Sequence, residues 1–169
     1  MLTEGGPGAL SMRAVARELG VAPNALYSHV RNRDDLIDRL LDDALGEVAA
    51  ASVARGPRRG LTQIMTNSYD ALSRRHALVP LYLGRQGARG PNAVALGTKM
   101  DVLLTAAGLD ETAVPRARHA LIVAAIGWAA YDAHATDPAA ARSAFLDALG
   151  WLLDGILKPS PRTRSRESP

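Results

Sequence analysis

Apolar residues recur along this chain at three- and four-residue spacing, and no segment shows the strict alternation of a strand, so the pattern predicts an all-α fold. Leu36, Leu40, Leu41, Ala44 and Val48 fall at helical spacing over residues 33–53, and the Arg55-Gly56-Pro57 break ends that helix. Leu61, Ile64, Met65, Ser68 and Leu72 form a stripe over residues 58–76. Pro80 interrupts a short apolar piece at 78–84, and the string GRQGARGPN at 84–92 reads as a glycine-rich loop. Pro91 or Asn92 then opens a helix that runs to Ala107, and two long helices, 112–135 and 138–157, close the fold.

Those closing helices carry more apolar surface than one core needs. Residues 120–130 are apolar nearly all round and rich in alanine and glycine, which lets helices approach closely. On the last helix Phe145, Leu149, Leu152 and Ile156 form one stripe, and Leu146, Leu153 and Leu157 an adjacent one. One stripe suffices for a monomer. Two predict a homodimer in which each chain lends two helices to a four-helix contact, with Leu146, Leu149 and Leu153 at the interface. A broad internal face is the alternative.

Residues 10–41, LSMRAVARELGVAPNALYSHVRNRDDLIDRLL, have a different character. A short helix at 11–19 can be capped by Ser11 and buries Val15, Ala16 and Leu19; Gly20 ends it, and Pro23 suits the first position of a second helix at 23–30. There Ala25, Leu26 and Val30 can face inward, while Asn24, Tyr27, Ser28, His29 and the following Arg31 are able to donate to phosphates or base edges. A third helix starts at once, with Asn32 as its N-cap, Asp34 and Asp35 in its first turn, and Arg33 placed to hold a phosphate at its N-terminus. This is the layout of a DNA-reading helix-turn-helix.

The string ALYSHVRNRDDLIDRLLD, preceded by SMRAVARELGV, resembles the DNA-binding region of the tetracycline-repressor (TetR) family. The resemblance implies that Arg13, on the first helix of the motif, and Asn24, Tyr27, Ser28 and His29, on the recognition helix, lie at the major groove, with Arg33 on a phosphate. It further implies a C-terminal helical domain that binds a small-molecule effector and forms the dimer. Members of the family carry a complete helix ahead of the motif, whereas MLTEGGPG is all that precedes it here. The first helix of the head is therefore expected to be largely missing, through a misplaced start or a true truncation. The organisation expected is a DNA-binding domain at 1–45, an effector-binding and dimerisation domain at 46–157 and a disordered basic tail at 158–169.

Charge sharpens this division. Twenty basic residues stand against 17 acidic, a formal excess of +3, and the tail alone accounts for it through Lys158, Arg162, Arg164 and Arg166 against Glu167. The helix after the head carries Asp34, Asp35, Asp38, Asp42, Asp43 and Glu47, an acidic face expected to point away from DNA. Cysteine is absent, which excludes disulfides, thiolate nucleophiles and cysteine zinc sites. No run reaches the length of a membrane span or has the build of a secretory leader, so a cytoplasmic location is expected. The histidines, His29, His76, His119 and His134, have no metal-ligand spacing, and the glycine-rich loop lacks the lysine and hydroxyl of a phosphate loop, so neither an enzyme, a metal nor a cofactor is expected.

Trp128, Tyr131 and Trp151 lie on the two closing helices, where their rings offer an apolar effector pocket with hydrogen-bonding edges; core or interface packing is the competing reading for each. The functional expectation is a ligand-responsive repressor released from double-stranded operator DNA by a small molecule. The alternative is a helical ligand-binding or interaction protein that no longer binds DNA because its first helix is missing.

Overall fold

A computed structural model describes residues 31–52, 56–85, 87 and 89–158. Arg13, Asn24, Tyr27, Ser28 and His29, with the two expected helices that carry them, lie outside the described residues, as does the tail beyond Lys158. The described residues form α1 (Arg33–Ala51), α2 (Pro57–Arg74), α3 (Leu78–Arg85), α4 (Pro91–Ala106), α5 (Ala113–Tyr131), a single 3-10 turn (Asp132–His134) and α6 (Pro138–Leu157). All of it is helical, as the apolar spacing predicts.

Local chemistry sets the ends. Asn32 caps α1 by accepting from the Asp35 backbone N–H at 2.9 Å, and the Asp35 carboxylate accepts in turn from the Arg31 N–H at 2.9 Å, which satisfies two donors at the helix start. At the other end Ser52 stops α1 short of the expected boundary. Its N–H donates to the Ala49 carbonyl and its hydroxyl to the Val48 carbonyl at 2.7 Å, turning the chain out of the helix. Pro80 does not interrupt the short apolar piece, because it falls in the first turn of α3, where a missing N–H leaves nothing unsatisfied. The long helix expected at 112–135 ends at Tyr131. Asp132–His134 tighten into the 3-10 turn, and the Asp137 carboxylate caps α6 through the Ala139 and Ala140 N–H groups, each at 3.0 Å.

Helix α2 is the axis of the core, since α1, α4, α5 and α6 all pack on it. Leu61, Ile64 and Met65 of α2 meet Met100 and Leu104 of α4, Leu121 and Ala129 of α5, and Phe145, Leu149 and Leu153 of α6, all buried. The Tyr69 ring stacks on Phe145 with centroids 4.2 Å apart, and Trp128 meets Phe145 edge-on at 6.3 Å. On α6 the i, i+4, i+8 spacing groups Leu153 with Phe145 and Leu149 instead of with Leu146, so the core draws on both stripes read from the sequence.

Candidate ligand cavity

Between α1, α2, α4, α5 and the tip of α3 lies a cavity of about 680 Å³. Its walls are apolar: Leu45 and Val48 come from α1, Leu72 from α2, Leu96 and Met100 from α4, and Ile126 from α5. The size falls within the range of about 300–1,000 Å³ typical of small-molecule sites, and a few convergent polar groups interrupt the apolar lining. These are Ser68, Tyr82, Arg118 and His119. Among the described residues no carboxylate lines it.

Arg118 is carried on the same stripe of α5 as Ile122 and Ile126, which aims it at the cavity. Its Nε lies 3.3 Å from Asp101 Oδ1 on α4, and its Nη1 crosses α4 at Gly97, where a Cβ would sit 3.0 Å from that nitrogen. A glycine there lets the guanidinium lie flat against the helix.

A second cleft, about 500 Å³, opens at the far end of α2, where two polar pairs are already made. Arg142 grips Asp70 through Nε and Nη2 at 2.7 and 2.9 Å, and Tyr69 Oη donates to Asp132 Oδ2 at 2.8 Å. Burial, reinforced by that hydrogen bond to Asp132, pushes the Tyr69 phenol above its ordinary pKa.

Three polar joints fasten α1, the helix that follows the expected head, to the walls of the larger cavity. Arg85, at the end of α3, spans Asp38 at 2.8 and 2.6 Å and Asp34 at 2.7 Å, and its guanidinium holds the Asp38 carboxyl below the usual carboxylate range. Asp42, only 6 % exposed, caps α4 from outside that helix. Its carboxylate accepts from the Ala93 N–H at 2.8 Å, the Asn92 N–H at 3.3 Å and Asn92 Nδ2 at 3.1 Å. Finally, the Ser52 hydroxyl accepts from Asn67 of α2 at 3.0 Å, and its carbonyl accepts from Lys99 of α4. These joints tie α1 to the helices that wall the cavity.

The structure distributes the residues singled out by sequence as follows. Arg31 is exposed just ahead of α1, and Arg33 occupies the first position of that helix. Trp128 is half-buried against Phe145, Tyr131 is 86 % exposed and Trp151 is 74 % exposed; none of the three lines the cavity, so they are not brought together there. Leu149 and Leu153, expected at a subunit interface, are 3 % and 0 % exposed inside the chain's own core, and Leu146 is half-buried. Sequence reasoning passed over Arg118. The available signal was an Arg-His pair opening the apolar run of α5, with Arg118 in register with Ile122 and Ile126.

Residues 1–40 match the sequence profile described as bacterial regulatory proteins of the tetR family. A helix-turn-helix transcriptional regulator of Mycobacterium tuberculosis (strain H37Rv) is 44 % identical over 48 residues, which are 28 % of this chain and 20 % of that protein. This chain thus spans about a fifth of the length of the curated relatives it matches. Two solved structures share the fold over almost the whole chain. A TetR variant from Acinetobacter baumannii in complex with minocycline superposes with a TM-score of 0.73 at 21 % identity, covering 89 % of this chain and 88 % of that one. The BioQ protein crystallised with its double-stranded DNA operator superposes with a TM-score of 0.65 at 22 % identity, covering 92 % and 90 %. The sequence signature of the tetR family thus lies on residues 1–40, and the helical architecture behind it is that of the two solved structures.

Proposed function

We propose that this protein is a non-enzymatic, cytoplasmic transcriptional repressor that binds operator DNA as a homodimer and releases it when a small molecule occupies the cavity between α1, α2, α4 and α5. The observation that carries the reading is the joint itself: α1 begins within the segment that matches the family profile, and it is tied through Asp38, Asp42 and the Ser52 that ends it to the helices that wall the cavity. The operator complex of BioQ and the minocycline complex of the TetR variant support DNA and a small molecule as the two partners. Domain limits at residues 45 and 157 are part of the proposal. Among the described residues no helix is long and apolar enough to cross a membrane.

The test is selection of a preferred sequence from a random DNA pool with the full chain, followed by substitution in the head. Tyr27→Ala and His29→Ala are expected to weaken binding to the selected sequence by about tenfold or more and binding to random DNA far less, because base contacts carry the discrimination. Arg33→Ala is expected to weaken both alike and flatten the salt dependence, as a phosphate contact does. Failure to enrich any sequence would remove the repressor reading and leave a ligand-binding helical protein.

A further inference from the structure

We infer that the cavity is built for an amphipathic anion: a molecule with an apolar body and one carboxylate, sulfonate or phosphate that meets Arg118 and His119. The inference rests on the proposed effector role of the cavity and names the chemistry of its occupant. Every ionisable group that lines the cavity, apart from the Tyr82 phenol, is a base, and both bases stand side by side on α5 while the remaining walls are almost wholly apolar. An uncharged hydrocarbon would offer the cavity side of the guanidinium no acceptor, which is unfavourable in an apolar pocket. A cation would be repelled.

Arg118 is also incompletely used by the protein. Its one partner among the described residues is Asp101, and although Oδ1 of that residue lies 3.3 Å from Nε, the buried oxygen makes no aligned hydrogen bond. The guanidinium side chain remains 35 % exposed, and Nη1 lies across Gly97 at the cavity wall. A planar guanidinium with spare N–H groups pairs with an oxyanion through short, charge-assisted bonds that an uncharged ligand cannot make. Asp101 competes for the same cation, so the site binds an anion against a resident carboxylate.

The test compares two fluorescent probes that differ by one group, anilinonaphthalene sulfonate and its uncharged parent N-phenylnaphthylamine, titrated into the full-length protein. The two are expected to displace each other, and Ser68→Trp, which puts a ring into the cavity, to exclude both. Arg118→Gln is expected to weaken the sulfonate by about tenfold or more, the loss of a charge-assisted contact, and to shift the parent less than about twofold. Asp101→Asn is expected to strengthen the sulfonate alone, and decides the matter if Arg118→Gln does not fold. If both probes compete for the cavity but neither variant separates them, the anion assignment falls and the cavity stands as a ligand site. If neither probe binds, or Ser68→Trp excludes neither, the cavity is not a ligand site and both readings fall.

Discussion

Gly90 shows how closely α1 is keyed to α4. A Cβ built on it would lie 2.0 Å from the Asp42 carboxyl carbon, closer than side-chain atoms tolerate, so only glycine lets Asp42 reach the first N–H groups of α4. Gly90→Ala is expected to force the two helices apart and to destabilise the protein by about 1–3 kcal/mol in urea denaturation, the usual cost of overpacking. Asp38 supplies a second check at this scale. Its hydrogen bond from Arg85 lowers its pKa, so the folded protein binds that proton less readily than the unfolded chain. The stabilisation is complete above the ordinary aspartate range and fades as the pH falls through the lowered folded value. The Tm gap between wild type and Asp38→Asn is therefore expected at neutral pH and to close in acid. None of this was readable from the acidic run at 34–47. The sequence pattern described only an acidic face pointing away from DNA; in the structure Asp34 and Asp38 meet Arg85, Asp42 caps α4 and Glu47 pairs with Arg75 at 2.6 Å. Each of these partners lies outside α1, and a charge pattern along one helix cannot name it.

Among the helices, α6 separates what periodicity can reveal from what it cannot. Apolar spacing located the helix to within its caps, because the Asp137 side chain and Pro138 at the first turn are local signals. It did not say which leucines face the chain's own core, since two adjacent stripes fit either a monomer or a dimer. Burial resolves the matter for Leu149 and Leu153, which pack against α2 and α5. Trp151 instead projects outward on α6, and Tyr131 outward at the end of α5. Two outcomes follow for the proposed dimer. Leu149→Asp and Leu153→Asp are expected to unfold the protein, since burying an unpaired carboxylate costs several kcal/mol in rough terms. Trp151→Glu is expected to leave the far-UV circular dichroism and Tm near wild type while sedimentation shows a monomer. A wild-type monomer at micromolar concentration would remove the dimer, and a dimeric Trp151→Glu would move the interface elsewhere.

For the molecule as a whole, release of DNA by a ligand requires that the two sites share a free energy. A ligand moves the protein only so far as it prefers one arrangement of α1 over another, and by linkage DNA must weaken the ligand by the same factor. The structure offers a physical carrier for that preference. An anion drawn to Arg118 competes with Asp101 on α4; α4 is capped by Asp42; and Asp42 belongs to α1, whose first residues lie in the segment that matches the family profile. In the proposed dimer, displacement of α4 would shift α1 and so change the spacing of the two copies of the segment ahead of it. Asp42→Ala tests the carrier directly, because it removes the carboxylate cap between α1 and α4 and leaves Arg118 and the cavity walls in place. It is expected to cost about 0.5–2 kcal/mol in stability, as loss of a cap does. In the wild type, saturating ligand is expected to weaken operator binding by roughly 5- to 150-fold, the ordinary span of allosteric coupling. In Asp42→Ala that factor should fall toward one, while the affinity of the DNA-free protein for the ligand stays within about threefold of wild type, too small a shift to explain the lost coupling. Titrating ligand in the presence and absence of DNA measures both quantities on the same sample. A variant that keeps the full coupling factor would show that the signal leaves the cavity by another joint, with the Arg85 clamp the next to cut.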